Sequence, residues 1–99
     1  MKLRTIVNLY DSLNTGVFAD ALLRPRILGI RNNREYASYV WQRTNRYIYV
    51  SLDSVKGMKM ASALMFHEMV HQYVEEVLQV RETNPHGPIF WQTYLEFKV

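Results

Sequence analysis

The chain has 99 residues, 48% of them hydrophobic, and a formal net charge of +3. This length predicts one domain, residues 1–99, and the apolar content is typical of a folded chain, not a disordered one. There is no cysteine, which excludes disulfides, a cysteine nucleophile and cysteine-ligated zinc. No apolar run approaches the ~20 residues of a membrane span, and the N-terminus lacks a secretory pattern. We therefore expect a cytoplasmic protein that does not bind membranes.

The charge is distributed unevenly along the chain. The first 59 residues carry ten Lys and Arg and four acids, whereas residues 60–99 carry two basic residues and five acids. A basic half of this kind can attract a polyanion. The alternative is an ordinary solvated surface, and on the charge distribution alone we favour this alternative over a polyanion-binding surface.

The first predicted element is an amphipathic helix over residues 3–15. Apolar side chains recur there at near-helical spacing, and Gly16 after them is a plausible helix stop. These side chains are Leu3, Ile6, Val7, Leu9, Tyr10 and Leu13. The sequence of residues 17–24 predicts a turn and a short segment that leads to the first β-like run.

Three short β-like runs follow, over residues 26–30, 36–43 and 46–52. Turn signals at Asn32-Asn33 and Thr44-Asn45 separate them. In the third run, aliphatic side chains alternate with tyrosine and serine, so that one face of the strand is suited to packing on a core. The three runs together predict an antiparallel meander.

A helical pattern occupies residues 58–80, and its first half is apolar on nearly every side, as in a helix at the centre of a domain. The polar exceptions on its interior turns are His67, Glu68 and His71. After a polar loop, Pro88 suits the first position of a final helix over residues 88–97. The predicted fold class is therefore α+β, with an N-terminal helix, a three-stranded antiparallel sheet, a central helix and a C-terminal helix.

The string His67-Glu68-Met69-Val70-His71 is an HExxH motif inside the central helix. Its i, i+4 spacing puts both imidazoles on one face, where they can bind one metal ion. Imidazole ligands suit zinc, and a catalytic zinc site has three protein ligands and a water. Zinc lowers the pKa of that water to about 7, and Glu68 beside it can act as the general base. The alternative is a pair of hydrogen-bonded core histidines.

A catalytic zinc site needs a third protein ligand besides the two histidines of the motif, so the chain must supply one elsewhere. His86 is the one remaining histidine and lies in the loop before the final helix. We favour His86 as the third ligand, because a loop of this length can bring it back over the metal. The rival ligands are Glu75, Glu76 and Glu82. The candidates for stabilising an oxyanion are Tyr47, Tyr73 and Tyr94, and their spacing does not choose among them.

The HExxH string followed by His86-Gly87-Pro88-Ile89-Phe90 resembles the SprT-like (Spartan-type) family of zinc metallopeptidases, whose pattern is HExxH, a variable loop and HGxxF opening a helix. The upstream layout, with Asn14 and Phe18 in a turn after the first helix, is similar too. The resemblance implies a minimal zincin-like fold, one zinc ion per chain and peptide-bond hydrolysis. It implies that the zinc ligands are His67, His71 and His86 and that the catalytic base is Glu68.

The leading hypothesis is therefore a zinc-dependent endopeptidase acting on a protein or peptide substrate. Members of the family often act on proteins bound or crosslinked to DNA, and the basic first half, with aromatic side chains among its arginines, is compatible with DNA contact. Alternatively, those aromatic side chains pack in the core and at the edge of the sheet and do not contact DNA. Two further hypotheses are a non-enzymatic, zinc-stabilised DNA- or protein-binding module and a zinc amidase acting on a non-protein bond. A compact domain of this size suits a phage or bacterial genome.

Overall fold

The computed structural model describes residues 1–31 and 34–98. The elements are helix α1 (Leu3–Gly16), strands β1 (Arg26–Ile30), β2 (Ala37–Gln42) and β3 (Asn45–Ser51), and helices α2 (Gly57–Gln72) and α3 (Pro88–Phe97). The predicted α+β class and the order of its helices and strands are confirmed. The turn predicted at Asn32-Asn33 lies outside the described residues. In the described ranges, no helix is long and apolar enough to cross a membrane.

The sheet is mixed, so the predicted antiparallel meander is wrong. Its strand order is β1-β3-β2, in which β2 pairs antiparallel with β3 and β1 pairs parallel with β3 on the other side. The β2–β3 turn contains Arg43 at a φ of 57°, one residue earlier than the predicted Thr44-Asn45 turn. Side-chain alternation indicates which faces a strand has, not which strand lies beside it, so the pattern could not reveal the mixed pairing.

Helix α2 packs against β2, α1 and α3 and lies at the centre of the domain, as its apolar pattern predicts. The core around it draws on every helix and on the strands β1 and β3. Its buried members are Ile6, Tyr10, Phe18, Leu22, Ile27, Ile48, Val50, Val55, Ala61, Met65, Met69, Val70, Val74 and Phe90.

The turn after α1 supports the helix that carries the HExxH motif. The side chain of Asn14 donates to the carbonyl of Leu22 at 2.8 Å and accepts from the N–H of Leu22 at 3.2 Å, which closes the turn. Phe18 is thereby held in the core, 2% exposed, with its ring 5.9 Å from the ring of Phe66. This contact supports α2 at Phe66, the residue that precedes the first histidine of the motif.

The helix predicted over residues 58–80 has two parts in the structure. A π-helical turn, Tyr73–Val77, continues α2, and Gln79 then takes a φ of 57°, which ends the helix. A π turn closes i to i+5 hydrogen bonds and so contains more residues than an α turn. Glu75 and Glu76 therefore point in directions that a continuous α-helix would not give them.

Candidate metal centre

Helix α2 presents His67 and His71 on one face, one turn apart. Neither glycine nor proline interrupts residues 58–78, and the segment is rich in the good helix formers Met, Ala and Leu. The two imidazole rings lie 5.0 Å apart between centroids. The spacing that the motif predicts is thus realised within a single element.

His86 joins this pair from the loop between the π turn and α3. Its Nε2 lies 3.1 Å from Nε2 of His67 and 3.2 Å from Nε2 of His71. No two of the three donor atoms are more than 4.8 Å apart, so the three side chains are close enough to hold one metal ion. The structure therefore brings together the three predicted ligands from two separate segments of the chain.

The geometry of the three nitrogens fits a tetrahedral ion. Nitrogens bound at ~2.0–2.1 Å to one tetrahedral zinc lie ~3.3 Å from each other, close to the two separations of 3.1 and 3.2 Å found here. Hydrogen bonds alone do not satisfy this arrangement well, because Nε2 of His86 has either one N–H to donate or one lone pair to accept with, and it has two neighbours. One metal ion satisfies all three nitrogens at once.

The protonation state of the rings also suits a metal. Burial, together with the nearby His67 and His86, lowers the pKa of His71 to about 4. Burial, assisted by His86, also lowers the pKa of His67. Both rings are therefore neutral at pH 7, which is the form of imidazole that binds a metal.

Aromatic side chains of α3 form one wall around the histidines. The ring of Phe90, fully buried, stacks on the ring of His71 with 4.2 Å between centroids and 27° between planes. Trp91 is exposed, and its ring lies 6.5 Å from that of His67 and 6.2 Å from that of His86. The phenylalanine of the HGxxF string thus fixes the orientation of a candidate ligand ring.

Glu68 lies against the edge strand β2 and is only 6% exposed. The pKa of Glu68 is raised to about 7, mainly by burial. A hydrogen bond from the backbone N–H of Tyr39 partly opposes this rise, and the charge of Glu35 contributes to it. A divalent ion at the histidines would lower this pKa again. A carboxylate with a pKa near neutrality is suited to taking up and releasing a proton.

Two of the rival ligands are engaged elsewhere. Glu75 accepts hydrogen bonds from the hydroxyl of Tyr39 at 2.6 Å and from Nε and Nη2 of Arg46 at 2.7 and 3.0 Å. Glu76 accepts from the N–H of Leu23 at 3.0 Å and from the amide of Gln72 at 2.8 Å. Both carboxylates therefore connect the π turn to the rest of the fold, and the sequence contained no spacing signal for these partners.

The third rival, Glu82, also makes hydrogen bonds to backbone instead of joining the histidine cluster. Its two carboxylate oxygens accept from the N–H groups of Ile89 and Phe90 at 3.2 and 2.9 Å. These N–H groups belong to the first turn of α3, so Glu82 caps that helix.

A cleft of about 930 Å³ lies between α2 and β2 and includes the three histidines and Glu68 in its lining. Of the three candidate tyrosines, Tyr94 lines this cleft. The ring of Tyr47 stacks against Tyr49 on β3, and Tyr73 packs against aromatic rings of the core. Tyr94 is therefore the candidate that a substrate in the cleft can reach.

The basic first half of the chain is largely solvated. Nine of its ten basic residues are exposed, and the tenth, Arg46, is half-buried in the contact with Glu75. Arg24 forms an ion pair with Asp11 at 2.8 Å, and Arg31 lies 3.6 Å from Asp53. DNA contact through this half of the chain stays a prediction.

Comparison with known proteins returns no match to a family model, to a curated protein or to a solved structure. The family is therefore not established by these comparisons. The motif and the geometry of the histidine cluster carry the functional assignment.

Proposed function

We propose that this protein is a zinc-dependent endopeptidase of the SprT-like, zincin-like type, with His67, His71 and His86 as zinc ligands and Glu68 as the general base. The observation that carries the proposal is the convergence of three imidazoles in one cleft that also contains a buried carboxylate. Three histidines and an open fourth position make up a recurrent catalytic zinc site. Glutamate after the first histidine is the general base of the HExxH motif.

The chemistry is divided between the ion and the chain. Zinc, when bound, would lower the pKa of a water molecule and polarise the scissile carbonyl. Glu68 accepts a proton from the attacking water and returns it to the leaving amine. Its carboxylate is held in place by the backbone N–H of Tyr39, so the base and the strand beside the cleft are in direct contact.

The shape of the cleft favours an extended peptide as the substrate. β2 is an edge strand that lines the cleft opposite α2. An extended chain can pair with such an edge through backbone hydrogen bonds, which depend little on side-chain identity. Apolar side chains of Ala63 and Leu64 and the ring of Tyr94 supply further contact area.

Cleavage of an unfolded protein tests the proposal. Zinc-loaded wild type, Glu68→Gln and Glu96→Gln are compared on casein, with zinc content measured for each. Glu96 is an exposed glutamate of α3, so its variant matches the change of charge. We expect Glu68→Gln to lower the cleavage rate by about 10²- to 10⁴-fold at one zinc per chain, and Glu96→Gln to cleave like wild type. Equal cleavage by wild type and Glu68→Gln contradicts the proposal.

The second candidate is a zinc-stabilised module that binds DNA or protein without cleaving it. The exposure of nine of the ten basic residues in the first 59 favours this candidate. It predicts DNA binding that weakens steeply with salt, because Lys and Arg contacts to phosphates release counterions. Such binding, together with no cleavage of casein or of a DNA-bound protein, supports this candidate over the peptidase.

A further inference from the structure

The third candidate ligand has the least support from regular structure. His67 and His71 belong to α2, whereas His86 is exposed and lies in the loop, residues 78–87, that has no helix or strand. A ligand in a loop binds metal more strongly if the loop is ordered before the ion arrives, since ordering it on binding reduces the affinity. Contacts that hold this loop therefore raise the affinity of the site for a metal ion.

Glu82 supplies such contacts to the residues after His86. Helix α3 has no side-chain cap at its own N-cap position, which is Gly87. The carboxylate of Glu82 takes that place, accepting from the N–H of Ile89 at 3.2 Å and of Phe90 at 2.9 Å. A negative charge on the first turn of a helix also interacts favourably with the helix dipole. The loop is thus closed on α3 by one side chain.

Gly87 makes room for this carboxylate. A Cβ added at Gly87 would overlap Oε2 of Glu82 and would lie 2.7 Å from its Cδ and 3.1 Å from the carbonyl oxygen of Asn84. Asn84 holds the other side of the turn, because its side chain accepts from the N–H of His86 at 3.0 Å and its carbonyl accepts from the N–H of Gly87 at 3.0 Å. Glu82, Asn84 and Gly87 thus enclose the backbone of His86.

We propose that Glu82 is a positioning residue for His86 and that its contact with Gly87 sets the affinity of the site for zinc. The inference rests on the metal site of the proposed function and adds to it a residue outside the ligand set. Glu82 acts through the backbone of residues 87–90, since both of its oxygens are engaged by N–H groups there. Removing a group that orients a ligand typically lowers metal affinity by about 10- to 100-fold.

The test measures zinc affinity without any substrate. Metal-free wild type, Glu82→Ala, Glu82→Gln and the control Glu96→Gln are titrated with zinc against a chromophoric chelator, and circular dichroism of the zinc-loaded proteins reports their helix content. We expect Glu82→Ala to bind zinc about 10- to 100-fold more weakly and Glu96→Gln to bind like wild type. Glu82→Gln should fall between them, because its amide keeps one acceptor oxygen, whereas the NH₂ group in place of the second oxygen cannot accept from an N–H group.

A double-mutant cycle with Gly87→Ala distinguishes positioning from a general effect of charge. In wild type, the new Cβ displaces the carboxylate, so Gly87→Ala should weaken zinc binding by a factor similar to that of Glu82→Ala. In the Glu82→Ala background the obstructing carboxylate is absent and only the 3.1 Å approach to the carbonyl oxygen of Asn84 is left, so Gly87→Ala should weaken zinc binding less than it does in wild type. Penalties that multiply independently, or a Glu82→Ala variant that binds zinc like wild type, overturn the inference.

The outcome is independent of peptidase activity. If wild type binds one zinc but cleaves nothing, the endopeptidase proposal fails and the role of Glu82 is still decided by the affinities. If wild type binds and cleaves while Glu82→Ala matches its affinity, only the positioning role fails. If wild type binds no zinc, both proposals fail.

Discussion

Replacing Glu75 by alanine is expected to lower the free energy of unfolding by about 2–4 kcal/mol. The carboxylate accepts three hydrogen bonds, one from Tyr39 and two from Arg46, at 2.6 to 3.0 Å. The side chains of Arg46 and Glu75 are 24% and 15% exposed. Breaking a fully buried ion pair costs about 3–5 kcal/mol, and residual exposure of both partners reduces this. A loss of this size shifts the melting temperature of a domain of ~100 residues by roughly 10–25 °C.

The assay is urea unfolding of zinc-saturated wild type, Glu75→Ala and the control Asp11→Asn. Asp11 forms an ion pair with Arg24 at 2.8 Å, close to the 2.7 Å of the pair between Arg46 and Glu75, but the side chains of Asp11 and Arg24 are each 52% exposed. Exposed pairs contribute about 0–1 kcal/mol, so the control should change stability little. The reasoning is refuted if Glu75→Ala lies within about 1 kcal/mol of wild type or if the two variants lose equal stability.

The same network predicts a dependence on pH. Burial tends to raise the pKa of Glu75, but hydrogen bonds from Arg46 and Tyr39 and the charges of Arg46 and Arg81 outweigh it, so the net shift is downward. A carboxylate whose pKa is lowered by folding stabilises the fold above its unfolded pKa of about 4. This stabilisation is lost as pH falls through the lower folded pKa. The stability gap between wild type and Glu75→Gln should therefore be largest near pH 7 and shrink below about pH 4.

Two further predictions concern packing and backbone conformation. Phe90→Ala should lower the free energy of unfolding by about 3–5 kcal/mol in urea and also weaken zinc binding, because its buried ring stacks on His71; unchanged zinc affinity would remove its role at the site. Gly57→Ala should lower stability by about 1–2 kcal/mol in thermal unfolding, because the φ of Gly57 is 80°. Gly16→Ala should instead be neutral or raise stability by up to about 1 kcal/mol, since a Cβ there meets nothing within 4 Å; equal losses at both glycines would contradict this.

Several parts of the fold and of the candidate site follow from local sequence. The pair His67 and His71 shares one face because the hydrogen bonds that set a helix lie within the segment itself. Pro88 at the start of α3 acts through the same local rules, because its fixed φ suits a first helical turn. The presence of three strands was also predicted, since alternation of side chains is a property of each strand alone.

The neighbours of those strands were not predictable in the same way. β1 pairs parallel with β3 and not with β2, although β2 follows it in the sequence. Either arrangement buries the same faces, so the apolar pattern is equally satisfied by both. The choice is made by packing between segments, which also leaves β2 as an edge strand beside the cleft.

The glutamates near the histidines show most clearly which features depend on local sequence and which depend on the tertiary structure. By itself, the sequence determined the helix, the histidine spacing and a group of glutamates within reach of a metal. Only the tertiary structure decided that Glu75 binds Arg46, that Glu76 binds the backbone of the turn after α1, and that Glu82 caps α3. Identical functional groups at similar spacing differ only in their partners, and those partners come from segments that folding brings together.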